Sequence, residues 1–193
     1  MTDAADDDAV LLRRSAAGDA DAFARFVARH RAGVHRFATM LARDAHDAEE
    51  VLQQTFVQAY RGAAGARVDG GARPWLLTIA RHALARLRRV AQAGPDTVSL
   101  EQLGREAGFA DPAATPERVA AAVESRQLLH TALKALPAGD REVLVLRELE
   151  QLDGARTAAV LGLSLEAMKS RLHRARLRLL AEVRRRLPAG DEP

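Results

Sequence analysis

The segment LGLSLEAMKSRLHRARLRLL, residues 161–180, carries the pattern of a helix-turn-helix. Gly162 provides a turn glycine, Leu163 a hydrophobic residue for the turn, and Ser164 a side chain that can cap the following helix. Just upstream, Ala158 provides the small residue that the first helix of such a motif needs. The segment therefore predicts two helices joined by a short turn, an arrangement that places its second helix in the major groove of DNA.

The second helix of this pattern is basic on the side that faces away from the predicted core. Apolar residues at helical spacing define the side that we expect to be buried, and two further leucines are expected to pack: Leu165, Met168, Leu172, Ala175 and Leu179, with Leu177 and Leu180. A basic stripe on a helix is more often a solvated surface than a nucleic-acid site, so charge alone leaves both interpretations open. The position of this stripe in a helix-turn-helix favours the nucleic-acid site.

The composition predicts a protein built of helices. The chain has 193 residues, of which 48% are hydrophobic and only 4% aromatic, and its apolar residues are mostly alanine, leucine and valine. This mixture favours helices packed on helices over a sheet protein. We expect an all-α fold of two small helical domains, residues 1–91 and 115–193, joined by a flexible acidic linker rich in proline and glycine over residues 92–114.

Several classes of protein are excluded by what the sequence lacks. There is no cysteine, which excludes disulfides and thiolate metal sites. No stretch approaches the ~20 apolar residues of a membrane span, and the acidic start does not have the form of a signal peptide, so we expect no membrane insertion and a cytoplasmic location. The six histidines show no metal-ligand spacing, and no phosphate-binding glycine motif or nucleophile elbow is present. We therefore expect no metal, no cofactor and no enzymatic activity.

Charge is segregated along the chain in a way that the net charge of +3 understates. Residues 81–89 contain no acidic residue, and Glu182 is the only acidic residue in residues 171–186. In contrast, residues 3–8 and 96–111 contain more acidic than basic residues. Two basic surfaces separated by an acidic connector indicate two contacts on one polyanion.

The segment DAHDAEEVLQQTFVQAYRG, residues 44–62, predicts a helix with one polar face. Asp47 followed by Glu50 resembles a capping box. The side expected to be buried consists of Ala48, Val51, Leu52, Thr55, Phe56, Ala59 and Tyr60. A glycine-rich and alanine-rich stretch follows and predicts a mobile loop, which Pro74 closes in the first turn of another basic helix.

These modules together resemble the extracytoplasmic-function sigma factors, the small bacterial members of the sigma-70 family. DAEEVLQQTFVQAY is similar to their polymerase-clamp-binding helix, and RPWLLTIARHALARLRR is similar to their promoter-element helix. LPAGDREVLVLRELEQL and LGLSLEAMKSRLHRARLRL resemble their C-terminal DNA-binding domain. The resemblance implies a transcription initiation factor that binds core RNA polymerase and promoter DNA and is held inactive by an anti-sigma factor.

The resemblance also implies three sets of site residues, carried over by position. The polymerase-binding set is Asp47, Glu49, Glu50, Gln53 and Gln54. The set for the minus-ten element is Arg61, Arg67, Arg73, Trp75, Thr78, Arg81 and His82, with the loop at residues 62–73 accepting a flipped base. The set for the minus-thirty-five element is Arg147, Ser164, Lys169, Ser170, Arg171, His173, Arg174 and Arg176.

The sequence departs from the family pattern at several of these positions. The departures are Gln54, Ala66, Ala72, Thr78, His82 and Glu166, the last of which favours the helix N-terminus but repels a nearby phosphate. The alternative hypothesis is a stand-alone helix-turn-helix regulator that binds operator DNA without polymerase. It would require a dimer interface or a ligand pocket in the N-terminal half.

Overall fold

The computed structural model describes residues 7–68, 71–92 and 115–187. Within these ranges the regular elements are helices and none is a strand, which confirms the all-α prediction. The α-helices are α1 Asp8–Ala16, α2 Ala20–Leu41, α3 Ala45–Gly62, α4 Ala72–Gln92, α5 Pro116–Lys134, α6 Ala138–Leu144, α7 Gly154–Leu161 and α8 Leu165–Arg186. Two compact units, one containing α1 to α4 and the other nearly all of α5 to α8, confirm the two helical domains. The predicted linker, apart from Gln92, lies outside the described residues.

The N-terminal unit is a bundle in which α2, α3 and α4 pack on one another. Its core includes Phe26 and Phe37 of α2, Val51 of α3 and Leu76 of α4, all fully buried. The short helix α1 packs against α2 and α3. Burial of these large apolar side chains is the main stabilising contribution to the unit.

The cap of α3 is Asp44, so the predicted capping role of Asp47 is wrong. The Asp44 carboxylate accepts a hydrogen bond from the Asp47 backbone N–H, at 2.8 Å. The Asp47 carboxylate is buried and receives a hydrogen bond of 2.7 Å from Arg43 Nε. The chain therefore enters the helix three residues earlier than the spacing of Asp47 and Glu50 indicated.

The predicted loop at residues 62–73 is shorter than expected, because helices extend into it from both sides. Gly62 ends α3, Ala63–Gly65 form a 3-10 turn, and Ala72 begins α4. Ala63, Val68 and Ala72 are buried, so apolar contacts anchor much of this stretch to the bundle. Pro74 lies in the first turn of α4, as predicted.

The C-terminal unit confirms the helix-turn-helix. Gly162 ends α7 with a φ of +67°, a left-handed conformation that glycine adopts readily. Ser164 caps α8 by accepting a hydrogen bond of 3.1 Å from the Ala167 N–H. At the other end of α7, a Cβ on Gly154 would lie 3.2 Å from both Leu165 Cδ1 and Met168 Cε, so glycine allows a close approach of α7 and α8.

Three leucines of α8 that were expected to pack are exposed. The buried side of α8 consists of Met168, Leu172 and Ala175, but Leu165, Leu177 and Leu180 are exposed. At about 100° per residue, Leu177 points almost directly away from the buried side. The leucine content of this helix therefore overstates the width of its packed surface.

Among the described helices, none combines the length with the apolar composition that a membrane span requires. Among the same residues, no cluster of three histidine or carboxylate side chains is suited to bind a metal ion.

His130 makes the stability of the C-terminal unit sensitive to pH. Burial, with the nearby charges of Lys134 and Arg141, lowers the pKa of His130 below its ordinary value of 6.5. The unfolded chain therefore binds a proton at a higher pH than the folded unit does, and acidification below about pH 6.5 favours unfolding. We expect calorimetry to show a smaller loss of thermal stability between pH 7 and pH 5.5 for His130→Gln than for the natural chain. Equal pH dependence of His130→Gln and the natural chain would contradict this.

Candidate functional sites

The exposed side of α8 gathers four of the predicted minus-thirty-five residues. Lys169, Ser170, His173 and Arg174 are all exposed. Their spacing of one, four and five residues places them on one face, opposite the buried side of the helix. Leu177 continues this face, a position that the sequence interpretation had assigned to packing. The result is a surface on which Lys169, His173 and Arg174 offer nitrogen hydrogen-bonding groups and Leu177 offers an apolar contact.

Arginines at the edges of this face join α8 to α6 and to the turn after it. The guanidinium of Arg176 binds Glu148, with Nη2 2.6 Å from Oε1. Arg178 forms an ion pair with Asp140, whose carboxylate is nearly buried. The guanidinium of Arg171 lies beside Gly139 of α6. These contacts hold the guanidinium groups against α6 and the turn after it, and Arg178 is a residue that the sequence interpretation missed.

Arg147 stabilises the turn that precedes α7. It lies in a π-helical turn, Val145–Leu149, and donates a hydrogen bond to the carbonyl of Leu152. Gln151, between them, has a φ of +51°, an uncommon conformation for a residue other than glycine. Arg147 is thus half-buried in a structural contact, in addition to any role toward phosphate.

The polar face of α3 is present, but without Asp47. Gln53 is exposed and Glu50 is half-buried on the outer side of the helix. Glu49 Oε1 lies 3.2 Å from His35 Nε2 of α2, and Gln54 Oε1 accepts a hydrogen bond of 3.0 Å from Arg86 of α4. The neighbouring helices therefore orient the two edges of this face.

Two apolar or aromatic residues lie on the same side of α3. Val57 is 43% exposed and Tyr60 is 49% exposed, so the predicted burial of Tyr60 is wrong. The Tyr60 ring packs edge-on against Phe23 of α2, with ring centroids 4.9 Å apart, because it lies at the border of the buried side. Helical spacing from Gln53 places Val57 near the middle of the exposed face.

The predicted minus-ten residues lie at the connection from α3 to α4 and along the first half of α4. Arg61, Arg67 and His82 are exposed, whereas the others are half-buried: Arg73, Trp75, Thr78 and Arg81. Trp75 leans on the end of α3, where its Cζ2 would lie 3.6 Å from a Cβ on Gly62. The Thr78 hydroxyl donates to the Pro74 carbonyl at 2.9 Å, so this group is already satisfied within the helix.

Similar proteins share both halves of this arrangement. Residues 26–93 match the family of Sigma-70 region 2, and residues 126–179 match Sigma-70, region 4. The chain is 35% identical over 180 residues to the RNA polymerase sigma factor CnrH of Cupriavidus metallidurans, covering 91% of this chain and 94% of the relative. It is 37% identical over 173 residues to the ECF RNA polymerase sigma factor SigM of Mycobacterium tuberculosis, covering 89% and 82%.

A solved structure extends the similarity to the fold. The structure of CnrH in complex with the cytosolic domain of CnrY has a TM-score of 0.68 and 28% identity to this chain, and covers 93% of this chain and 98% of that one. Two helical units with a basic helix-turn-helix, matched along their length, define a DNA-binding protein of the transcription apparatus. The chain belongs to the extracytoplasmic-function sigma factors of the sigma-70 family.

Membership establishes the general activity. The protein is a transcription initiation factor that binds core RNA polymerase and directs it to promoters, and it is not an enzyme. The match of residues 26–93 to region 2 also decides against a stand-alone helix-turn-helix regulator.

Proposed function

We propose that the two units divide promoter recognition between them. Residues 1–91 bind the polymerase clamp and the minus-ten element, residues 115–193 read the minus-thirty-five element, and residues 92–114 connect them. The observation that carries this assignment is the face of Lys169, Ser170, His173 and Arg174, exposed opposite the packed side of α8.

The α8 face has the chemistry that base and phosphate recognition requires. Lysine and arginine gain affinity by releasing counterions from DNA, and groups aimed at base edges contribute about 1–3 kcal/mol of discrimination for each good bidentate contact. Ser164 places the start of α8 at the turn, and Arg171 and Arg176 lie beside the reading face where a DNA backbone would pass. In this assignment Arg147 supports the turn and contacts phosphate only from its edge.

The α3 face provides the polymerase contact in this proposal. Its centre is Gln53 with Val57, flanked by Glu50, and its edges are Glu49 and Gln54. Such a centre, apolar and neutral with charge at the side, is typical of a protein interface whose rim is polar. Asp47 does not contact the polymerase directly in this proposal. Its buried carboxylate binds Arg43 and so stabilises the start of the helix.

The connection between α3 and α4 provides the minus-ten contact. Arg61 and Arg67 are exposed there and Trp75 is half-buried in the first turns of α4, while Arg81 and His82 lie about two turns further along that helix. A base that leaves the stack costs a few kcal/mol, so the site must supply stacking or apolar contacts in return. We place such a base at the predicted loop, between the end of the 3-10 turn at Gly65 and the start of α4 at Ala72.

The experiment that tests this function is reconstitution with core polymerase. The purified chain is expected to co-purify with core polymerase and to start transcription at promoters mapped after overexpression of the chain. Failure of both would overturn the proposal. Because transcription initiation takes place on chromosomal DNA, we also assign the protein to the cytoplasm. There an anti-sigma factor would bind it, as the cytosolic domain of CnrY binds CnrH.

Glu148 competes with DNA for Arg176 in this arrangement. Their side chains are 48% and 55% exposed, so the pair contributes at most ~1 kcal/mol to stability. Glu148→Gln is expected to strengthen binding of the holoenzyme to promoter DNA by up to about fivefold, and to steepen the salt dependence of log Kd by about one phosphate contact. Glu124→Gln, which removes an exposed carboxylate from α5, is the control and leaves both unchanged. Weaker binding by Glu148→Gln would show that the pair positions Arg176 for DNA.

A further inference from the structure

The two lysines of the chain lie in different surroundings. Lysine and arginine together number 29, and Lys134 and Lys169 alone are lysines. Lys134 is half-buried in the last turn of α5, where its charge acts on His130. Lys169 is exposed on α8, and within the described residues its ammonium group forms no ion pair. Lys169 is therefore the more accessible of the two side-chain amines, and it lies on the face that we assign to DNA.

Lysine and arginine differ in their reaction with acetyl donors. A guanidinium group stays protonated in proteins, so the arginines of α8 do not attack an acyl carbon. A lysine amine that has lost its proton to water is a nucleophile, and lysine is a usual site of acetylation in proteins. Because α8 contains no other lysine, Lys169 is the cationic residue of this helix that an acetyl donor can modify.

The charges around Lys169 favour an anionic donor. Apart from the two arginines whose ion pairs are described above, Arg171 and Arg174 lie near Lys169, and neither forms an ion pair within the described residues. Glu166 is the single acidic residue in residues 164–178. A surface on which one sign of charge prevails raises the local concentration of ions of the opposite sign. Acyl phosphates and acyl-CoA thioesters carry phosphate groups, which match arginine, so this surface attracts them.

We propose that Lys169 is an acetylation site through which promoter reading by α8 is switched off. The donor is an anionic acetyl carrier, either an acyl phosphate or an acyl-CoA thioester. The Lys169 ammonium group first loses a proton to water, and the amine then attacks the acetyl carbonyl carbon. A C–N bond forms while the bond from that carbon to the phosphate oxygen or the thioester sulfur breaks. The leaving phosphate or thiolate takes up a second proton from the amine, and the product is a neutral amide.

Acetylation changes the chemistry of the reading face and leaves the packing of the helix unchanged. A cation that can release a counterion from DNA becomes a neutral group with a single N–H donor. The buried side of α8, formed by Met168, Leu172 and Ala175, lies opposite and is not affected. This regulatory effect rests on the proposed function of α8, whereas the reaction at Lys169 does not depend on it.

The first test measures where the chain reacts. The full-length chain is incubated with acetyl phosphate and, separately, with acetyl-CoA, and acetylation of each lysine is followed by peptide mass spectrometry. We expect Lys169 to be acetylated several-fold faster than Lys134, and promoter DNA to slow the reaction at Lys169 in the holoenzyme. Reaction with one donor alone identifies that donor as the source. Equal rates at the two lysines, or no reaction at Lys169 with either donor, would overturn the inference.

The second test measures the effect on DNA. Holoenzyme acetylated at Lys169 is expected to bind promoter DNA about tenfold more weakly, as for one lost contact, with a salt slope of log Kd reduced by about 0.9. Lys169→Gln is expected to lose affinity to a similar extent without treatment. Binding by Lys169→Arg is expected to be the same before and after treatment with the donor, because arginine is not acetylated.

Lys134→Arg is the matched control on the other lysine. It is expected to bind promoter DNA as the natural chain does and to lose affinity on treatment to the same extent. Unchanged binding after full acetylation of Lys169, or an equal loss of binding in treated Lys169→Arg, would overturn the regulatory role. Transcription by the untreated natural chain from mapped promoters is a separate readout, so this inference can fail while the proposed function stands.

Discussion

Replacing His173 and Arg174 together with alanine is expected to lower transcription from promoters that depend on a minus-thirty-five element by about 100-fold or more. Both side chains are exposed on the face of α8 opposite its packed side, so their removal leaves the fold intact. Two lost contacts to base edges, at about 1–3 kcal/mol each, correspond to a loss of this size. The measurement is single-round transcription by reconstituted holoenzyme on templates with and without the upstream element.

Arg184→Ala is the control for this variant. Arg184 is an exposed arginine in the last turn of the same helix, about 15 Å along the axis from the reading face at a rise of 1.5 Å per residue. We expect it to retain transcription. Equal activity of the double variant and the natural chain would remove α8 from promoter reading, and equal losses in both variants would indicate a diffuse charge effect.

Gln53→Arg is expected to weaken binding of core polymerase by about 100-fold. Gln53 is exposed in the free protein, so arginine is accommodated there without strain on the bundle. In the complex the longer, charged side chain would lie at the centre of the interface, and it would pair with Glu49 or Glu50, four and three residues earlier in the helix, and draw these carboxylates away from the polymerase. The measurement is titration of labelled chain with core polymerase in the absence of DNA.

Gln58→Arg provides a matched control on the same helix. Gln58 is also exposed, but it lies about 140° around α3 from Gln53. Gln58→Arg makes the same replacement, glutamine by arginine, beside the Gln54 edge of the proposed interface and not at its centre. If both variants bind as the natural chain does, or if both lose binding equally, the α3 face is not the polymerase contact.

The cap of α3 illustrates where local pattern stops being sufficient. Asp44 and Asp47 lie three residues apart, and either can begin a helix by accepting backbone N–H groups. Arg43 resolves the choice, because it pairs with the Asp47 carboxylate and leaves Asp44 to cap the helix. The buried site of Asp47 in turn removes it from the polar face.

The leucines of α8 show a different kind of error. Their number suggested broad packing, yet the angular position of Leu177 relative to Leu172 already indicated exposure. Here the information was present in the spacing, and the helix composition obscured it. Tyr60 of α3 is a related case, because it lies at the border of a buried stripe. The position of the neighbouring helix decides how much of such a residue is covered, and here Phe23 of α2 covers only part of the Tyr60 ring.

The all-α class, the helix-turn-helix with Gly162 and Ser164, and the family were all determined by residue types and spacing. These features depend on hydrogen bonds and side-chain periodicity within a few residues, which the sequence records directly. The pairing of Arg176 with Glu148 and the pairing of Arg178 with Asp140 were decided only by tertiary structure. The two residues of each pair lie 28 or more positions apart in the chain. They meet only because the packing of apolar faces sets the rotation of each helix.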